Sequence, residues 1–263
     1  MNYQDHRIPS SNYRVIRWFN LDRFAPEQAF TSHWMSSKAF FFVRLILALY
    51  STIVFWAYFV VMIQLDRFAG FFKAFTTMTF VGLHAYLVIS SIYHYRYLRS
   101  KSIDVILQQH PCLNYIYLYL YSTVITFNVL TPVIFWSILS RMQSNADPVV
   151  AWINVSVHGA SFFLMFIDVV LNRIVLPIRL VLFVFFTTVL YLLLAIIIYA
   201  CEKKWLYPFL SWDQGPAAAV WYLLILSLVV VIFFFMLCVH FVRDWAAYKT
   251  GKLAQIGQDP QKS

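Results

Sequence analysis

The sequence has 263 residues, of which 62% are hydrophobic, 20% aromatic and 12% charged, with a net charge of +9. A soluble globular domain carries about 25% charged residues, so this chain has too little polar surface to coat a water-soluble particle of its size. Its Lys and Arg mostly flank apolar blocks and are not interleaved with exposed aromatics, which favours membrane topology and anionic head groups over nucleic acid as a partner.

The first 38 residues are polar and mixed, and are expected to form a cytoplasmic or interfacial N-terminal segment. Within it, Tyr13-Arg14-Val15-Ile16-Arg17-Trp18-Phe19 alternates bases with aromatics, as a segment on a membrane surface does. No cleavable leader is expected, because the first apolar block is long enough to serve as an anchor. Six apolar blocks follow, at about Ala39–Ile63, Phe72–Tyr95, Asn114–Leu139, Val149–Leu171, Ile178–Ala200 and Ala217–Val242. Each can cross a hydrocarbon core, which takes about 20 helical residues. Pro111, Pro148, Pro177 and Pro216 each stand just before a block, where a missing backbone donor costs little. Pro132 lies inside the third block and predicts a kink. Leu98 to His110 reads as a short amphipathic connector. The expected fold is all-α: one integral membrane bundle of about six transmembrane helices over 39–245, with a cytoplasmic tail at 246–263.

Basic residues set the expected orientation. Most of the 20 Lys and Arg fall in the N-terminal segment, the second-to-third loop, the fourth-to-fifth loop and the C-terminus, including Arg7 and Lys262. The other loops hold Arg67, Lys73, Arg141, Lys203 and Lys204. Both termini are therefore expected to face the cytoplasm.

Ionisable groups are costly in hydrocarbon, so Arg44, His84, His158, Asp168 and His240 are functional candidates. Arg44, Asp168 and His240 lie near the cytoplasmic ends of their spans, where they can snorkel or pair. Cys112, Cys201 and Cys238 share no metal-ligand spacing and read as small buried residues. Asn154-Val155-Ser156 matches a glycosylation sequon but falls within a span, so modification is not expected.

Thr79 lies about seven residues into the second span and His158 about ten into the fourth, counted from the same membrane side. At about 1.5 Å per residue they share a depth to within roughly 5 Å. A hydroxyl and an imidazole at one level suit a nucleophile and general base. Asn154, four residues before His158, shares its face and is placed to fix the ring's tautomer. Asp168 lies about 15 Å further along the axis, too far to orient the imidazole directly.

Three segments resemble one family: Met78-Thr79-Phe80-Val81-Gly82-Leu83; Asn154-Val155-Ser156-Val157-His158 with Asp168 downstream; and Trp205-Leu206-Tyr207-Pro208-Phe209-Leu210 with Gly215-Pro216. Together they resemble the androgen-induced and androgen-dependent TFPI-regulating proteins, from about Phe72 to Trp245. This chain has Gly82 where that family often has Asp or Asn, and Val155 where it often has a second histidine. The resemblance implies a multi-pass membrane hydrolase of fatty acid esters of hydroxy fatty acids, with Thr79 as nucleophile and His158 as its partner. The Trp205 to Leu210 loop reads either as an aromatic interface anchor or as part of a substrate gate.

The expected function is thus lipid-ester hydrolysis inside the bilayer, on an amphiphilic acyl ester entering sideways, in the endoplasmic reticulum or plasma membrane. No metal or organic cofactor is implied: there is no His-rich motif, carboxylate cluster or Gly-rich phosphate loop. The alternatives are an acyltransferase using the same two residues, and a non-enzymatic transporter or receptor-like scaffold. Transporters often pair broken helices in two related halves, and here only one span carries an internal proline.

Overall fold

A computed structural model describes residues 10–140 and 147–252. Arg7, Arg141 and Lys262 of the orientation reading lie outside the described residues, as do 1–9 of the N-terminal segment and 253–263 of the tail. The described chain is helical, with no strand among the described residues. Six helices are long and apolar enough to cross a membrane: α1 (Ser37–Gln64), α2 (Phe75–Ser100), α3 (Pro111–Leu139), α4 (Pro148–Leu171), α5 (Ile178–Glu202) and α6 (Pro216–Lys249).

Their starts follow local chemistry. Ser36 caps α1 by accepting from the Ala39 amide at 3.3 Å, and Asp147 caps α4 by accepting from Val149 at 2.8 Å. Pro111, Pro148 and Pro216 occupy opening turns, where a backbone donor would be unpaired anyway. The side-chain pattern in α1 is the reverse of a soluble helix. Phe42, Ile46, Leu49, Ile53, Trp56 and Val60 form an exposed apolar stripe at helical spacing, while Arg44, Leu47, Ser51 and Val54 are buried. Polar groups inside and large hydrophobes outside are what a lipid solvent selects.

Three features extend the expected picture. Helix α6 runs past the apolar window at Val242 to Lys249, with Arg243 and Ala247 buried. The chain stays helical through Pro132 and then takes a wide π-type turn at Phe135–Leu139. A proline removes one helical donor and crowds the carbonyl four residues back, and a wide turn is one way to absorb that. A second wide turn interrupts α4 at Ser156–Ala160.

The third feature is the N-terminal segment. The short helix Arg14–Trp18 buries no residue, as expected of a surface element. Beyond it the chain turns inward. Leu21, Phe24, Ala25, Ala29 and Phe30 are buried. The Phe30 carbonyl accepts from the Ser37 hydroxyl at 2.8 Å, and the Gln28 carbonyl accepts from the Arg173 amide at 2.8 Å. This stretch covers one end of the bundle, called here the basic end. The loops before α2 and before α6, with Asp147 at the start of α4, form the opposite end.

Candidate functional site

Thr79 sits about one turn into α2 and is buried. Its hydroxyl lies 2.9 Å from the Thr76 carbonyl and 3.1 Å from the Thr131 hydroxyl. A hydroxyl has one proton. When Thr79 donates to the carbonyl, Thr131 donates to Thr79. Thr79 also borders a cavity of about 260 Å³ between α2, α3 and α5, with Phe75, Gly82, Thr123, Phe127 and Tyr191 among its walls. A smaller void, about 40 Å³, lies on the other side of Thr131, walled by Thr76, Tyr207 and Leu210.

His158 occupies the wide turn of α4. Its ring stacks on Phe135 at 3.7 Å between centroids and 10° between planes. Phe135 opens the wide turn of α3, and the next residue, Trp136, donates its indole N–H to the His158 carbonyl at 2.8 Å. The two irregular turns are thereby joined face to face. The buried Nδ1 of His158 has no hydrogen-bond partner, so Asn154 does not set the tautomer through that atom. His84, the other deep histidine, meets Ser51 through Nδ1 at 3.1 Å and stacks on Phe55.

Thr79 and His158 approach α3 one turn apart. Thr79 meets Thr131, and His158 meets Phe135, four residues on and about 6 Å along the axis. No hydrogen bond joins the hydroxyl to the ring.

The loop after α5 supports the first turn of α2. The Phe75 amide opens that helix and has no intrahelical acceptor. It donates to the hydroxyls of both Tyr207 and Tyr191, each at 3.0 Å. Burial raises the Tyr207 phenol above its ordinary pKa, so it stays neutral and keeps its proton at physiological pH. Trp205 stacks on Tyr199 at 4.2 Å, and Tyr222 holds the Leu210 carbonyl at 3.1 Å. Gly215 ends the loop at φ 61°, ψ −135°, a conformation open almost only to glycine. The segment is therefore a structural support for the Thr79 helix, a role its aromatic composition did not reveal.

The remaining candidates meet at the basic end. Arg44 Nε donates to Asp168 at 2.7 Å, and Tyr86 donates to the other carboxylate oxygen at 2.6 Å. Asn172 reaches the same oxygen at 3.2 Å and accepts from Arg243 at 2.9 Å. Tyr121 meets His240 Nε2 at 2.6 Å. Arg44 also donates to the Ala29 carbonyl at 2.9 Å, tying the N-terminal segment in. Arg44 and Asp168 are fully buried, so they pair and do not snorkel. Tyr86, Asn172 and Arg243 were not singled out from sequence.

Cys112, Cys201 and Cys238 are exposed rather than buried, on faces turned outward from the bundle. Among the described residues, no group of three or more His, Cys, Asp or Glu side chains is placed to hold a metal ion.

The architecture defines a class: a helical bundle of the multi-pass membrane kind. Comparison with known proteins goes no further, because no protein-family model, curated protein or solved structure matches this chain.

Proposed function

We propose that the chain is an intramembrane hydrolase of lipid esters, with Thr79 as nucleophile and His158 as general base. The observation that carries this reading is the Thr79 hydroxyl at the wall of a largely apolar cavity deep in the bundle. An ester carbonyl placed there is shielded from water until acylation is complete.

In the proposed reaction, His158 accepts the Thr79 proton as Oγ1 adds to the ester carbonyl. The ester C–O bond breaks and the alcohol leaves with that proton. Water, deprotonated by the same imidazole, then releases the acid and restores the hydroxyl. His158 must turn off Phe135 to reach Thr79. Its Nδ1 has no hydrogen bond to lose, and catalytic contacts are often loose before substrate binds. Both termini are proposed to be cytoplasmic, and an acyl ester of a hydroxy fatty acid is the substrate suggested by the family resemblance.

One observation favours the non-enzymatic alternative. The Thr79 hydroxyl already bonds its own helix, a common structural use of threonine. A fluorophosphonate lipid probe separates the two. Labelling and ester turnover should vanish in Thr79→Ala and partly persist in Thr79→Ser, while Thr77→Ala behaves as wild type. Undiminished labelling and turnover in Thr79→Ala would remove the threonine mechanism and leave the scaffold or transporter reading.

A further inference from the structure

The cavity beside Thr79 has a neighbouring hollow on each side, with lining residues in common. Towards the basic end a larger hollow of about 710 Å³ lies between α3, α5 and the N-terminal segment, bordered by Phe19, Tyr115, Ile116, Phe183 and Leu190. It shares Tyr119 and Thr187 with the Thr79 cavity. That cavity in turn shares Phe75 and Tyr191 with the void beyond Thr131. From Tyr115 to Thr131 the path follows α3 for about 24 Å at about 1.5 Å per residue, most of the depth of a hydrocarbon core of about 30 Å.

The chemistry of this path is that of an acyl chain. Its outer side opens between residues that face lipid, since Ile116, Phe186 and Leu190 are all exposed. The two polar side chains at the junction satisfy each other, Tyr119 to Thr187 at 2.7 Å. The mouth is cationic. Exposed Arg17 stands two residues before Phe19 and donates to the Ser11 carbonyl at 2.7 Å, and exposed Arg179 donates to the Trp18 carbonyl with its guanidinium over the Trp18 ring at 4.9 Å, one turn before Leu182 and Phe183. The floor is kept open by Gly82, where an added Cβ meets nothing within 4 Å.

We infer that the groove between α3 and α5 binds a single-chain lipid with a carboxylate head. The head sits among the arginines at the basic end, and the chain runs past Tyr119 and Thr187 to Thr79. This adds a binding path to the proposed hydrolase, and binding can be read without turnover.

The test uses the full chain in nanodiscs and a long-chain fatty acid carrying a mid-chain diazirine. Crosslinks should concentrate on Tyr119–Phe127 and Phe183–Tyr191 and be competed by unlabelled fatty acid. Gly82→Leu, whose Cβ meets nothing within 4 Å, puts bulk into the floor and should cut this labelling about tenfold, equivalent to about 1.4 kcal/mol of binding. Phe235→Ala, on the lipid face of α6, should label as wild type. Arg17→Gln with Arg179→Gln should weaken the free acid several-fold more than its methyl ester. Crosslinks spread evenly over the outer faces of α1 and α6, or full labelling of folded Gly82→Leu, would overturn the groove. Equal response of acid and methyl ester to the arginine changes would overturn the carboxylate assignment. Competed groove labelling without any ester turnover would leave the binding path standing and remove the hydrolase reading. Should Gly82→Leu fail to fold, Leu190→Trp places bulk over the lateral opening and must give the same loss.

Discussion

The two ends of the bundle solve the problem of polar groups in hydrocarbon differently. At the basic end, Arg44, Tyr86, Asp168, Asn172, Arg243 and Ala29 share one connected set of charge-assisted hydrogen bonds. Towards the opposite end, Thr79 and Thr131 share a single bond beside open space, and His158 keeps an unpartnered nitrogen in an irregular turn. A densely connected network holds one arrangement and resists change, although Arg44 Nη2 within it has no partner. A sparse one, next to cavities and wide turns, leaves side chains free to re-pair with something that arrives. Placing the stiff part at one end lets the other be soft without loss of the fold.

The sharpest way to break this contrast is at Asp168. Asp168→Ala leaves the Arg44 charge buried and unpaired, and should cost about 3–5 kcal/mol, seen as a large drop in the unfolding midpoint of the detergent-solubilised protein. Combining Arg44→Met with Asp168→Leu should recover much of that loss. A single mutant as stable as wild type would mean that the network is ornamental.

Next is Gly215, at the opposite end. Gly215→Ala forces a side chain into a conformation reserved for glycine and should cost about 1–3 kcal/mol. Because the loop holds the start of α2, proteolysis of the intact protein should also rise within 203–215. If neither changes, the loop does not support that helix.

His158 comes third for stability and first for activity. His158→Ala loses a ring stack worth about 0.5–1.5 kcal/mol and no hydrogen bond at Nδ1. Ester turnover should nevertheless fall at least about 100-fold, whereas His84→Ala has the smaller effect on turnover. Parallel losses of folded protein and of turnover in both variants would make His158 a packing residue.

The smallest effect is expected at Thr131. Thr131→Val keeps the shape and removes one hydroxyl, while Thr79 retains the Thr76 carbonyl. The stability change should stay below about 1.5 kcal/mol, with a several-fold change in turnover. An unaltered rate would show that Thr131 does not orient the Thr79 hydroxyl.

Much of the fold was legible because lipid imposes a simple rule on composition. Six long apolar blocks, four of them opened by prolines, became six helices, within a turn or so at most ends. The boundary at Val242 fell short because Arg243 reads as the start of a soluble tail, yet it donates to Asn172. Arg44, Asp168 and His240 were legible one by one as costly charges. Their meeting was not, since Arg44 and Asp168 are 124 positions apart. The folding of Leu21 to Phe30 beneath the bundle was hidden for another reason. Its buried residues follow no single period, and its anchors are backbone carbonyls. The wide turn in α3 was foreshadowed by Pro132, but the one in α4 left no compositional trace, because a shift in backbone hydrogen bonding changes no residue type.

The wide turn in α4 carries a consequence for the whole helix. Residues beyond an α-helical position advance by about 100° and 1.5 Å each. If the turn at Ser156–Ala160 relaxed to ordinary α-geometry with every residue kept, everything beyond it would swing and advance by about that step. Asp168 would then leave the face it shares with Arg44, and Asn172 would leave Arg243. A single residue of slack beside His158 thus keeps the two halves of α4 in phase with different neighbours.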